Sequence, residues 1–209
     1  MSSAIRSWVA LSTRMRAGLI DVELDIGVLW RNCNFGQLEV EQAVDAAVRF
    51  AEMPGLADYP APVEVSIKLS DDADVQALNR EWRDKDKPTN VLSFPMLDDD
   101  ELEQLRHPEP LSGSYALHEA DKIKTLNQVQ GDEQEMGLLL GDIVLAYETC
   151  AAEALEKDIP VAHHATHLVI HGMLHLLGHD HIEDDEAESM EALEVKALAS
   201  MGLHNPYDT

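Results

Sequence analysis

The run from Leu138 to Tyr147 constrains the fold more than any other stretch of the chain. It is almost wholly apolar, interrupted only by Gly141 and Asp142. Such a segment suits a strand buried on both faces. Two further segments alternate with a period of two. Val22, Leu24, Ile26 and Val28 are separated by Glu23, Asp25 and Gly27, and Val63, Val65, Ile67 and Leu69 repeat the pattern. Both read as strands, and Asn90 to Phe94 reads as a short fourth one. Between them the period changes to that of a helix. Leu38, Val40, Val44, Val48 and Ala51 share one helical face, which Pro54 and Gly55 end. Ser70, Asp71 and Asp72 make an acidic start for a helix carrying Val75, Leu78 and Trp82. Glu148 to Lys157 reads as a short helix stopped before Pro160, and the next runs from about Ala162 to Gly178. A last helix begins in the acids Glu183 to Glu186, buries Met190, Leu193, Ala197 and Met201, and stops at Gly202. Four strands interleaved with helices and no internal repeat make a mixed single domain over 21–209.

Two stretches stand apart. Residues 1–20 hold Arg6, Arg14 and Arg16 and no acid, and Trp8 to Leu11 is too short for a secretory core. They read as an extension, compatible with an organellar leader or with true initiation at Met15. Leu97 to Met136 is rich in acids, at Asp98 to Glu101 and at Asp132, Glu133 and Glu135, and shows no apolar period. It reads as an exposed, partly disordered insertion, 97–136, without chemistry of its own.

Charge narrows the function. Forty acidic residues against 15 basic ones give a formal net charge of −25. That is the wrong sign for gripping nucleic acid with the whole surface, so any such contact needs a local basic patch. No apolar run has the length of a membrane span. Two cysteines, Cys33 and Cys150, make no disulfide framework and lack metal-ligand spacing; they read as small core residues in a reducing cytoplasm.

The chemistry lies in HGMLHLLGHDH, from His171 to His181. His171 and His175, four apart on a helix, project from one face. Gly178 ends the helix and permits a reversal that swings a third imidazole back. Three neutral nitrogens leave a fourth position open, the arrangement of catalytic zinc, and the same three imidazoles also accept nickel, copper or iron. His179 competes with His181 for the third place. His181 is favoured because H-x3-H-x5-H, glycine included, repeats the metzincin spacing. His167 lies one turn before His171, either as an outer partner of the site or as a packed core histidine. His163 and His164, at the helix entry, read as solvated. Asp180 reads either as an orienting acid or as a plain turn residue. Where metallopeptidases of the HExxH type carry a Glu as general base, this chain has Gly172, which argues against peptide hydrolysis.

The histidine run, followed by IEDDEAESMEALE, resembles the YbeY family of rRNA maturation factors, as do WRDKDKPTNVLSFP after Leu78-Asn79 and LGDIVLA from Leu140 to Ala146. The resemblance runs from Leu24 to Tyr207 and skips the insertion. The family pattern has Tyr where this chain has His179, which supports His181 as ligand. The resemblance implies an α+β fold, a small mixed four-stranded sheet packed with about five helices, with the metal site on a helix that ends in a glycine turn. It implies a metal-dependent endoribonuclease specific for single strands, acting at the 3′ end of small-subunit rRNA and in ribosome quality control; the three imidazoles make zinc the expected ion and the cysteine usage makes the cytoplasm the expected compartment. The implied partners are single-stranded rRNA and the small ribosomal subunit with its proteins, without DNA or membrane. By motif match Arg83 is the arginine facing the metal, suited to a scissile phosphate. Its own surroundings, with Arg80, Lys85 and Lys87 offset by Glu81, Asp84 and Asp86, would otherwise read as a solvated turn. Asn90 and Ser93 line the cleft by the same match, or else satisfy backbone groups at the strand edge. The alternatives are a non-catalytic assembly factor with a stabilising metal and, below it, a metallopeptidase.

Overall fold

The computed structural model describes residues 19–108, 137–181 and 183–208. Its centre is a four-stranded sheet of β1 (Asp21–Ile26), β2 (Val63–Ser70), β3 (Val91–Pro95) and β4 (Leu138–Ala146), in the order β1-β2-β4-β3. The first three in that order run parallel, and β3 pairs antiparallel with β4 at the edge. Six α-helices accompany the sheet among the described residues, one more than the sequence suggests. They are α1 (Gln37–Phe50), α2 (Asp72–Arg83), α3 (Asp99–Arg106), α4 (Tyr147–Glu156), α5 (Val161–Leu176) and α6 (Asp184–Ser200). The fold is α+β. No helix among the described residues is long and apolar enough to cross a membrane.

β4 is covered on both sides, as its apolar run requires. Ile143 and Leu145 join the main core with residues of α1, α5 and α6. Val144 and Ala146 join a second cluster with Leu92 and with Val75 of α2. Alternation along a strand sends neighbours to opposite faces, so α2 covers one face of the sheet and α5 the other. A bulge opens β4 against β2, where the register shifts between Glu64 and Val65. Gly141 sits there at φ 148°, and a Cβ on it would lie 2.3 Å from the Phe94 carbonyl oxygen, so only glycine fits. Trp30 fills the end of β2, buried, its indole N–H donating to the Ser70 carbonyl at 2.7 Å.

The acidic stretch expected to be an exposed insertion is not uniformly exposed. Its first part is α3, with Leu102 and Leu105 only 6% and 5% exposed. The acids that suggest a solvated loop are its helix start. Asp98 accepts from the Glu101 N–H, and Glu101 accepts from the Asp98 N–H, both at 2.9 Å. The expectation for 109–136, like that for 1–18, lies outside the described residues. Cys33 and Cys150 are free thiols, and burial pushes the Cys150 thiol well up from its ordinary range.

Candidate metal centre

α5 carries a polar seam through an otherwise apolar helix. His164, His167, His171 and His175 follow at spacings of three and four, so their rings line one face. At the C-terminal end the helix closes in a Schellman turn. The His179 N–H reaches the Leu174 carbonyl at 3.0 Å, and the Gly178 N–H reaches the His175 carbonyl at 3.1 Å. Gly178 stands in the left-handed region at φ 78°. The reversal carries His181 back to the helix, its ring centroid 5.5 Å from that of His171 and 4.9 Å from that of His175. One ring nitrogen from each of the three lies within 4.8 Å of the others.

His179 is not part of this group. Its ring faces the other way, Nε2 lying 3.3 Å from the Ala51 carbonyl at the end of α1. Burial lowers its pKa, partly offset by that bond. Asp180 caps its own neighbour, accepting from the His181 N–H at 2.7 Å, with His181 Nδ1 at 3.3 Å.

The tautomers follow from the hydrogen bonds. Nδ1 of His171 faces a carboxylate oxygen of Glu194 at 2.8 Å, and Nδ1 of His175 faces the His179 carbonyl at 3.0 Å. Both acceptors demand N–H on Nδ1, which leaves lone pairs on the two Nε2 atoms. Those atoms stand 3.1 Å apart. Two lone pairs at that distance repel each other unless a cation lies between them. The separation is close to the ~3.3 Å edge of a tetrahedron with ~2.0–2.1 Å zinc–nitrogen bonds. The donor set therefore fits a divalent ion. Burial, together with the neighbouring His171 and His181 rings, pulls His175 down to about 4 against the pull of Asp180 and the His179 carbonyl. Its imidazole is neutral at pH 7, the form a metal needs.

Glu194 is the residue that sequence reasoning missed. It lies on α6, 1% exposed. Oε1 accepts from His171, while Oε2 accepts from His167 at 2.6 Å and from the Tyr207 hydroxyl. Burial raises its pKa, but the three donors outweigh burial and hold the carboxyl well below its usual range. Tyr207 is pushed up, by burial and then by Glu194. A signal was present: Glu194 falls between Met190 and Ala197 on the buried stripe of α6.

His164 corrects the expectation of solvation. It is 2% exposed, and its Nε2 meets Glu153 at 2.6 Å, with Asn90 donating to the same carboxylate at 3.0 Å. His163 is exposed, as expected. A cleft of about 340 Å³ opens beside His171, lined among others by Asn90, Lys157, His164, His167 and Tyr207. Asn90 thus both lines the cleft and serves the backbone, its Oδ1 accepting from the Val91 N–H at 2.7 Å. Ser93 lies against α5, its Oγ 3.0 Å from where a Cβ on Gly172 would stand. Position 172 therefore faces the sheet, with no room for a general base. Arg83 ends α2, whose packing face is the other side of the sheet, and is exposed. No hydrogen bond or ion pair among the described residues joins it to the histidines.

Comparison with known proteins agrees with the reading of the motifs. The family model described as Endoribonuclease YbeY matches residues 31–202. A Sphingopyxis alaskensis protein named Endoribonuclease YbeY is 45% identical over 189 residues, covering 90% of this chain and 98% of that relative. One of the same name from Rhizorhabdus wittichii is 49% identical over 166 residues, 79% of this chain and 83% of its own. A third, from Erythrobacter litoralis, is 42% identical over 179 residues, 85% and 89% respectively.

Proposed function

The chain belongs to the YbeY endoribonuclease family, and from that premise we propose that it is a zinc-dependent endoribonuclease of single-stranded rRNA, acting in small-subunit 3′ end maturation. One observation carries the metal part of this reading. Three imidazole nitrogens converge within 4.8 Å, two of them with lone pairs opposed at 3.1 Å. His171, His175 and His181 would hold the ion. When bound, such an ion supplies Lewis acidity to a phosphoryl oxygen and acidifies water.

The chain's own groups supply the rest. Glu194 and the His179 carbonyl keep the tautomers of His171 and His175 fixed. The cleft beside His171 receives the strand, with Lys157 as a cation at its wall. The motif match, rather than the packing of α2, assigns Arg83 the neutralisation of charge that accumulates on the phosphate in the transition state, through an exposed guanidinium fork that matches two oxygens. The nucleophile is a water or the ribose 2′-hydroxyl. A 2′,3′-cyclic phosphate product establishes the second, and a 5′-phosphate excludes it.

The test is cleavage of purified rRNA by wild type and by Arg83→Ala, with metal content measured on both. We expect kcat to fall by roughly 10²–10³-fold in the variant while its metal is retained. Equal rates would remove Arg83 from the reaction. Elemental analysis of wild type beside His171→Ala identifies the ion, expected as zinc, and its loss in the variant.

A second reading draws on the net charge of −25. An acidic surface weakens unaided RNA affinity and suits contact with basic ribosomal proteins, as for an assembly factor whose metal only stabilises the fold. Clean wild-type protein that binds metal yet cleaves nothing would favour it.

A further inference from the structure

The turn that aims the third imidazole is held from outside. A Schellman turn satisfies the carbonyls of Leu174 and His175, but those of Leu177 and Gly178 point onward without a helical partner. Arg106 fills both. Its Nη2 donates to the Leu177 carbonyl at 3.1 Å and to the Gly178 carbonyl at 3.0 Å. These are charge-assisted bonds, made where the dipole of α5 is negative, so charge and geometry reinforce each other.

Arg106 is the last residue of α3, and the helix behind it is fixed at two points. Leu102 presses on the turn so closely that a Cβ on Gly178 would fall 2.7 Å from its Cδ1. At the other side the backbone of Leu105 lies 2.8–2.9 Å from where a Cβ on Gly55 would stand, in the 3₁₀ turn Pro54–Leu56. α3 is thus wedged between that turn and the end of α5. The turn it holds supplies two of the features the site depends on. His179 offers the carbonyl that orients His175, and His181 follows two residues later as the third ligand.

We propose that Arg106, presented by α3 of the acidic insertion, is a positioning residue for the metal centre: it locks the 177–178 turn and thereby sets how tightly His175 and His181 hold the ion. The insertion is then not a passive loop but the support of the ligand that comes from outside the helix. The proposal rests on the metal-centre reading and not on RNA cleavage.

The test compares full-length wild type, Arg106→Ala and Arg106→Lys by zinc competition against a chromophoric chelator and by the visible spectrum of the cobalt(II)-loaded protein. Loss of an outer partner is expected to weaken zinc binding by about 10–100-fold in Arg106→Ala. Its cobalt spectrum should shift towards that of His181→Ala. Arg106→Lys, which keeps the charge but reaches one carbonyl, should fall between. Zinc affinity of Arg106→Ala within twofold of wild type, with an unchanged cobalt spectrum, would overturn the proposal. If that variant does not fold, Arg106→Gln keeps the stem without the cation and is judged by the same criterion. Wild type that takes up no divalent metal would overturn the metal reading and this inference together, whereas metal-tight wild type that fails to cleave RNA leaves the inference supported by the affinity loss.

Discussion

Glu194 joins two imidazoles of α5 and the hydroxyl of the C-terminal Tyr207 through two oxygens. A carboxylate can accept from all of them, because both oxygens are acceptors. A glutamine can accept at one oxygen only, and its amide N–H₂ would face one imidazole N–H or the other. Glu194→Gln should therefore free the tautomer of His171 or His167 and weaken zinc binding about 10–100-fold. Chelator competition on the full chain measures this, and unchanged affinity would show that His171 needs no partner. In the sequence Glu194 is one acid among Asp185, Glu186, Glu188 and Glu191 on one helix, with Glu183 at its N-cap. Only its place on the apolar stripe separates it from those solvated neighbours, and a stripe shows burial without showing what the buried group touches.

At the scale of elements, α5 must lie close to the sheet for its histidine face to be held firmly. Gly172 permits that approach, since a Cβ there would come within 3.0 Å of Ile143 Cγ2 and of Ser93 Oγ. Two effects compete in Gly172→Ala. Helix propensity gains roughly 1 kcal/mol, while overpacking costs typically about 1–3 kcal/mol. The second wins because both neighbours belong to packed strands, so the expected outcome is a net loss of ~1 kcal/mol in urea unfolding. A more stable variant would mean that the helix lifts without cost. The same contact gives position 172 a structural reason for lacking the peptidase glutamate. α3 shows the converse case. Leu102 and Leu105 are spaced for one helical face, but a single pair inside an acidic stretch is too short a period to read. What makes α3 a helix is its capping box together with the Gly55 and Gly178 surfaces that receive it.

For the whole molecule, proton uptake ties the site to stability. Burial lowers His164, His175 and His179 below their ordinary value, His175 to about 4. In the unfolded chain these rings take up protons near ~6.5, so below that pH the unfolded state binds more protons and stability falls as pH falls. Depressed carboxyls add to the loss at lower pH. Asp74 is held down by its bonds from Lys68 and Ser70, and Glu194 by its three donors; the stability they lend is present above their unfolded pKa and disappears as pH falls through the folded one. Asp45, raised by burial, works in the opposite sense as a single group. Relief of the −25 charge also opposes the trend, but it sets in mainly where carboxylates titrate, so the interval from pH 7 to 5 isolates the histidines. The metal-free protein should lose at least ~3 °C of Tm over that interval, measured by calorimetry; a flat or rising Tm would contradict the burial of neutral imidazoles. The sequence by itself determined what depends on near neighbours. Strand and helix periods, the two-faced burial of β4, and the meeting of His171, His175 and His181 all follow from spacings within one element or one turn. Only the tertiary structure decided the antiparallel edge strand, the burial of His164, and the partners Glu194, Tyr207 and Arg106, which lie far along the chain from the groups they hold. The physical reason is that a hydrogen bond is satisfied by whatever the packed layers bring within about 3 Å, and no local period records which residue that will be.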